Sequence, residues 1–453
     1  MTKKYFGTDG IRGQANSFPM TAEMAMKVAM ATAHVLRAQQ AEQGNAKIMN
    51  RVVIGKDTRL SGYMLEQAMA SGFVAMGMDV IFTGPIPTPA VARLTNTLRA
   101  DIGVMISASH NPYQDNGIKI FGSDGYKLSN NIEHQIEEMI ERDMEVLLPP
   151  ADKIGKATQL DDASGRYIEY IKGSVPKGQT LGNMKIVVDC AHGAAYKVAP
   201  KVLWELEADV ISIGNSPDGR NINDGFGATA TQNLQARVVE EGADIGIALD
   251  GDADRLIIVD EKGEVVDGDQ LLGMLALAKR DAGFLRGGVV ATVMSNLGLE
   301  RFFEKENIAF KRSNVGDRYV VEQMKANDFN IGGEQSGHII LQEFGTTGDG
   351  LLAALQVLFI VRKTGRKASE VCHVFDPLPQ LLKNVRYSGA TPLDNQDVQS
   401  AIKATEEKLN GGGRLLVRAS GTEPLIRVMA EGDDNALVES AVNDLCELIE
   451  KVA

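Results

Sequence analysis

The chain has 453 residues, enough at about 150 residues per domain for roughly three domains. It is 44% hydrophobic and 24% charged, as expected of a soluble globular protein with several buried cores. A net charge of -13 argues against non-specific nucleic-acid binding, which needs a basic face, but leaves room for a local Arg/Lys cluster.

In chain order, the first feature is a glycine-punctuated loop, Gly7-Thr8-Asp9-Gly10-Ile11-Arg12-Gly13, carrying one arginine. Apolar periodicity then predicts a helix over 21–40, with Met24, Met26 and Met30 as core packing. A strand is expected at 52–54. The loop Gly55-Lys56-Asp57-Thr58-Arg59 after it either adds cations to an anion site or is a salt-bridged turn. Next come a helix over 62–76, strands at 80–82 and 103–107, and a helix over 131–144. A strand at 185–189, a helix over 231–241, a strand at 243–249, a helix over 269–279 and a strand at 288–292 follow. This alternation implies mostly parallel sheets with helices on both faces. Composition breaks at 147–158, 259–268 and 373–380 give four units: 1–157, 158–258, 259–375 and 376–453. The first three share a coarse α/β rhythm; the last reads as strand, helix, two strands and helix.

Four loops concentrate chemistry. Ser107-Ala108-Ser109-His110-Asn111-Pro112, followed by Asp115-Asn116-Gly117-Ile118-Lys119, crowds polar groups at the end of an apolar strand. Ser109 could be a nucleophile given a base, or the turn could only cap backbone groups. In Asp250-Gly251-Asp252-Ala253-Asp254-Arg255, three alternate carboxylates repel unless a cation neutralises them. All-oxygen ligands favour Mg2+ or Ca2+ over zinc, and Arg255 stands where an EF-hand needs Gly. The plainer reading is a solvated acidic turn. Gly332-Gly333-Glu334-Gln335-Ser336-Gly337-His338 offers Glu334 and Ser336 to sugar hydroxyls, whereas a lone histidine is more often structural. Arg418-Ala419-Ser420-Gly421-Thr422-Glu423-Pro424, with Arg427 behind it, suits either an anion cradle or a capped hairpin turn. No Walker A pattern occurs, so the anion is not expected to be a P-loop nucleotide. Cys190, Cys372 and Cys446 are odd in number and lack C-x-x-C, against a disulfide framework or zinc site. No apolar run would span a membrane and MTKKYFGTDGIRG lacks a signal-peptide core, so the cytoplasm is the expected compartment.

Together these loops resemble the α-D-phosphohexomutase superfamily, over essentially the whole chain and in the family's order. The most specific pieces are Ser-Ala-Ser-His-Asn-Pro at 107–112 and Asp-Gly-Asp-Ala-Asp-Arg at 250–255. The Gly7 to Gly13 loop, Gly333-Glu334-Gln335-Ser336-Gly337-His338 and Val315-Gly316-Asp317-Arg318-Tyr319 resemble its amino-sugar branch; the phosphomannomutase/phosphoglucomutase branch usually has Met in place of Gln335. The resemblance implies three similar α/β domains with mixed, mostly parallel sheets and a C-terminal TATA-box-binding-protein-like α+β domain. It implies interconversion of glucosamine 6-phosphate and glucosamine 1-phosphate, feeding UDP-N-acetylglucosamine and cell-wall synthesis. Carried over residue by residue, Ser109 matches the phosphorylated serine. Asp250, Asp252 and Asp254 match the Mg2+ ligands, with a phosphoserine oxygen beside them. Arg12, Lys119 and Arg255 match the cations around the transferring phosphoryl. Glu334 and Ser336 match sugar contacts, and His338 lines the same loop. Arg418, Ser420, Gly421, Thr422 and Arg427 match the site for the distal phosphate. A sugar 1,6-bisphosphate is the implied primer and intermediate.

A base must take the hydroxyl proton. Lys119 is the first choice, provided cationic neighbours lower its pKa, and His110 the second. The segment 377–379 is expected to hinge the last domain. Rival readings are a mutase of mannose or glucose phosphates, a metal-dependent phosphatase using Ser109, and a non-catalytic phosphosugar-binding protein. Neither nucleic acid nor membrane is an expected partner, and a homodimer stays open.

Overall fold

The computed structural model describes residues 3–42, 50–389, 391–409, 411–419 and 424–453. Three successive units share one strand plan. In the first, Arg51–Lys56, Asp79–Pro85 and Ile102–Ile106 are parallel, and Asp115–Gly122 returns antiparallel beside the third. In the second, Lys185–Asp189, Asp209–Ile213 and Ile245–Leu249 are parallel and Leu256–Asp260 returns. In the third, Gly288–Thr292, Ala309–Ser313 and Ile331–Gly333 are parallel and Ile339–Leu341 returns. Each time the first strand lies between the second and third, and the fourth flanks the third. The turn from third to fourth strand therefore recurs at one position, and it carries Ser109, the 250–255 acidic run and the 334–338 loop in turn. The rhythm read from sequence is thus a matched topology.

Two segments read as loops are strands. Phe6–Gly7 and Gly10–Gln14 form a hairpin on the edge of the first sheet, against Asp115–Gly122. Asp115–Gly122 is itself a strand because Ile118 and Ile120 bury their side chains. Strand pairing also moves two expected boundaries. Ala157–Gln159 pairs with Val80 to Phe82 of the first sheet, so that unit continues past 157. Leu256–Asp260 pairs along its length with Ile245–Leu249, and Val265–Val266 follows it, so the second unit ends near 266 rather than 258. In both cases backbone pairing continues across a residue where composition changes.

The five residues of Ile102–Ile106 are all buried, as are those of Ile245–Leu249, because helices cover both sheet faces. One apolar core runs through all three units, joining Val53, Met105, Val188, Ile247, Val289 and Leu358. The last unit has its own core, around Val385, Ile426, Val428, Val438 and Leu445. There an antiparallel sheet of Gln380–Arg386, Leu425–Gly432 and Gly413–Ala419 packs on helices Gln396–Leu409 and Asn435–Val452, the element order expected. Among the described residues no helix is long and apolar enough to cross a membrane.

Candidate active site

The three equivalent turns converge. Ser109 is 1% exposed and has φ of 52°, a left-handed conformation that a non-glycine residue keeps only where its surroundings over-determine it. Here Arg59 does so from full burial. Its Nη2 donates to the carbonyls of Ser109 (2.9 Å) and Asn111 (2.8 Å), and its Nη1 to those of Pro112 and Asp115. Arg59 Nε pairs with Asp57 at 2.8 Å; Asp57 accepts from Ser107 Oγ, which accepts from the Ser109 N–H at 2.9 Å. From the second unit, Asn223 Nδ2 donates to the same Ser109 and Asn111 carbonyls at 2.9 and 3.0 Å. Gly251 allows the approach, since a Cβ there would lie 2.6 Å from the Ser109 carbonyl oxygen. The Gly55 to Arg59 loop is thus the salt-bridged turn, with Lys56 paired to Glu66.

Ser109 Oγ donates to Asp250 Oδ2 at 2.6 Å. Asp250, Asp252 and Asp254 are buried and each brings one oxygen within 4.8 Å of the others. Asp252 Oδ1 and Asp254 Oδ1 are buried without a hydrogen-bond partner. Burial, then the charges of Asp254 and Asp252, push Asp250 up to about 8. Three mutually repelling carboxylates, two of them with an orphaned oxygen, form a hard, all-oxygen donor set, and these residues fit a divalent metal ion. Thr88 steadies the turn, its Oγ1 donating to Asp252 Oδ2 at 2.5 Å.

Lys119 Nζ lies 2.8 Å from Asp252, 3.2 Å from Asp254 and 3.1 Å from Asp9. Burial alone would lower its pKa, but Asp252, Asp9 and Asp254 outweigh it and hold the ammonium well above the usual lysine range. The expectation of a lowered Lys119 pKa is therefore reversed, because its neighbours are chiefly anions. His110 behaves oppositely. Its Nδ1 lies 3.4 Å from Ser109 Oγ, and burial, with Arg255 and Arg12, lowers its pKa to about 4. It is neutral at pH 7, as a base must be.

Arg12 and Arg255 each bury an Nε–H that has no partner; Arg12 also pairs with Asp9, and the Arg255 N–H donates to Asp250 at 3.2 Å. In the third turn, Glu334 accepts from the Gly316 N–H at 3.0 Å and from Ser336 Oγ at 3.4 Å, and Ser336 is exposed. His338 closes the same loop, its carbonyl accepting from the Glu334 N–H at 3.0 Å, with its ring turned towards Asp254 and Asp317. It is 4% exposed, with Nδ1 3.6 Å from Asp254 and Nε2 3.7 Å from Asp317. The Gly348 N–H, 3.1 Å from Nε2, favours a neutral ring, whereas Asp254 and Asp317 overcome burial to raise its pKa to about 9. The ring thereby links the acidic turn of the second unit to Asp317 of the third.

On the last unit's hairpin, Arg418 and Arg427 stand opposite each other in register, each with a buried Nε lacking a partner. Burial and Arg427 lower the Arg418 pKa, a repulsion that a bound anion relieves. Ser420, Gly421 and Thr422 lie outside the described residues. Sequence reasoning missed Thr88 and Asn223. Only Asn223, within the turn-rich run 214–227, had a local signal.

Sequence models of the four phosphoglucomutase/phosphomannomutase domains match: alpha/beta/alpha domain I at 3–146, domain II at 165–263, domain III at 267–378 and the C-terminal domain at 382–448. The chain is 59% identical over 453 residues to the phosphoglucosamine mutase of Rhizobium etli, covering 100% of this chain and 99% of that one. A phosphoglucomutase/phosphomannomutase family protein of Burkholderia thailandensis superposes with TM-score 0.80 at 22% identity, over 98% of this chain and 97% of that one. Aspergillus fumigatus N-acetylphosphoglucosamine mutase, solved with GlcNAc-6P and magnesium, superposes with TM-score 0.68 at 18% identity, over 99% and 96%. With its domain order, its recurring turns and these full-length matches, the chain belongs to the phosphoglucomutase/phosphomannomutase family.

Proposed function

We propose that this chain interconverts glucosamine 6-phosphate and glucosamine 1-phosphate, a phosphoglucosamine mutase reaction supplying UDP-N-acetylglucosamine synthesis, in the cytoplasm. The observation that carries the chemistry is Ser109 Oγ, 2.6 Å from Asp250 and set within the acidic triad. Phosphorylated Ser109 gives its phosphoryl to the O1 hydroxyl of the 6-phosphosugar: the Ser109 Oγ–P bond breaks as the O1–P bond forms. The hydroxyl proton passes to neutral His110, which returns it to Ser109 Oγ. The resulting 1,6-bisphosphate turns over, and its 6-phosphoryl returns to Ser109 by the same steps reversed. Arg12, Arg255 and Lys119 meet the charge of the transferring phosphoryl. Mg2+ held by Asp250, Asp252 and Asp254 supplies Lewis acidity there. Glu334 and Ser336 hold sugar hydroxyls, and Arg418, Arg427 and the Ser420 to Thr422 loop hold the phosphate that is not reacting.

The test is intact mass with peptide mapping after incubation with glucosamine 1,6-bisphosphate and Mg2+. One phosphoryl should appear on Ser109 and leave on addition of glucosamine 6-phosphate. Ser109→Ala should lose both this label and mutase turnover; an Ala variant that turns over normally would refute the covalent route. Rates on glucosamine, glucose and mannose phosphates distinguish the amino-sugar reading from the family's other branch.

A further inference from the structure

A closed circuit of polar side chains from all three units borders the site. Lys119 lies 3.1 Å from Asp9 and 3.2 Å from Asp254. Lys127 pairs with both Asp9 and Asp317. His338 lies 3.7 Å from Asp317 and 3.6 Å from Asp254. The circuit is Asp254, Lys119, Asp9, Lys127, Asp317, His338 and back to Asp254. Asp9, Lys119 and Lys127 come from the first unit, Asp254 from the second, and Asp317 and His338 from the third. The Lys127 and Asp317 side chains are only 11% and 10% exposed. Next to them Arg318 grips Glu133 at 2.5 and 2.9 Å, so helix Asp317–Asn327 docks on the first unit through two adjacent ion pairs.

We propose that Lys127 and Asp317 are positioning residues, an interdomain latch that sets the net field of the cations facing the phosphoryl. Asp9 is shared by Arg12, Lys119 and Lys127. While Lys127 answers part of the Asp9 charge, Arg12 and Lys119 keep positive charge for the substrate. Without Lys127, Asp9 draws wholly on those two, and the acidic basin around Asp252 and Asp254 becomes more negative. Without the Asp317 charge, the basin becomes less negative. The latch therefore predicts opposite shifts at the metal site from its two halves, which simple loosening of the fold does not.

The kinetic arm of the test rests on the mutase reading; the binding arm does not. In the full chain, kcat and KM for glucosamine 1-phosphate, and Mg2+ affinity by calorimetry without sugar, are measured for five variants: Lys127→Met, Asp317→Asn, their double, Lys127→Arg and Asp317→Glu. Lys127→Met and Asp317→Asn should each lower kcat about 10-fold or more with KM moved less than about 3-fold. Mg2+ should bind several-fold tighter in Lys127→Met and weaker in Asp317→Asn. The double variant should cost no more than the worse single, and the conservative variants should stay within about 3-fold of wild type. Mg2+ affinities moving the same way in both singles, or an unchanged kcat, overturn the latch. If Lys127→Met does not fold, Asp317→Asn against Asp317→Glu decides it alone. A wild-type chain without mutase turnover would sink the proposed function, and the Mg2+ comparison would still judge the latch.

Discussion

Ser109 shows how one side chain's chemistry depends on another's geometry. Its left-handed backbone costs on the order of 1–3 kcal/mol and is held by donors from Arg59 and Asn223 to carbonyls of its own loop. Arg59→Lys keeps the charge but removes the fork, leaving the Pro112 and Asp115 carbonyls short of donors. Expected effects are a stability loss of about 2–4 kcal/mol by denaturant titration and a fall of about 100-fold in the rate of Ser109 phosphorylation. Wild-type labelling in that variant would show the fork to be dispensable. Ser109 and the acidic triad were legible in sequence as candidates because each sits within six consecutive residues. Arg59 and Asn223 were not, because what they recognise is backbone carbonyl groups of another segment. The expected lowering of the Lys119 pKa is reversed for a related reason. Which charges surround Lys119 depends on Asp9, Asp252 and Asp254, which only the assembled units bring together.

At the scale of elements, strand positions followed from apolar runs bounded by turn residues, and nearly all predicted helices lie within a few residues of those observed. Strand Asp115–Gly122, read as a loop, lies inside its sheet, and the edge hairpin paired to it was missed with it. The Gly7 to Gly13 hairpin is rich in glycine and makes most of its pairing with the distant strand Asp115–Gly122, so no local pattern announced it. Met26 was assigned to the core with Met24 and Met30 but is 37% exposed, although Met30 four residues on shares its face and is buried, because the helix is covered all round only from Val28 to Ala33. Helix Gly350–Thr364 carries a testable device. Its N-cap Asp349 accepts from the Leu352 N–H and from Tyr167 Oη, both at 2.9 Å, and burial raises its pKa to about 7. A folded pKa above the unfolded one means stability that is full below about pH 4 and lost as pH rises through about 7, at up to about 1.4 kcal/mol per pH unit. Asp349→Asn keeps a capping oxygen and removes the proton. Its melting temperature should therefore gain on wild type more at pH 8 than at pH 5, and equal gains at both would exclude this account.

For the whole molecule, the decisive division lies between the first three units and the last. The last unit meets the third through a polar seam rather than a shared core. Glu431, fully buried, accepts from the Leu297 N–H at 3.0 Å and pairs with Arg414, while Arg301 pairs with Asp433 at 2.6 Å. That seam can swing more readily than an apolar interface, as the proposed reorientation of the bisphosphate requires. Arg418→Ala should raise KM for the phosphosugar about 10- to 100-fold and also lower kcat, because remote binding energy is used at the reacting end. Turnover unchanged in both parameters would remove Arg418 from the site.

The continuous core of the first three units also bears on how the chain is made. Its contacts reach from Val53 to Cys372, so the nascent polypeptide cannot close that core until more than three quarters of it has been synthesised. At ordinary elongation rates the interval is on the order of 20–60 s, during which the sheet faces lining this core await partners not yet synthesised, while the opposite faces of the first two sheets can close within their own units. Chaperone demand during translation should be concentrated there, whereas the last unit, with a core of its own, can complete itself as soon as it emerges.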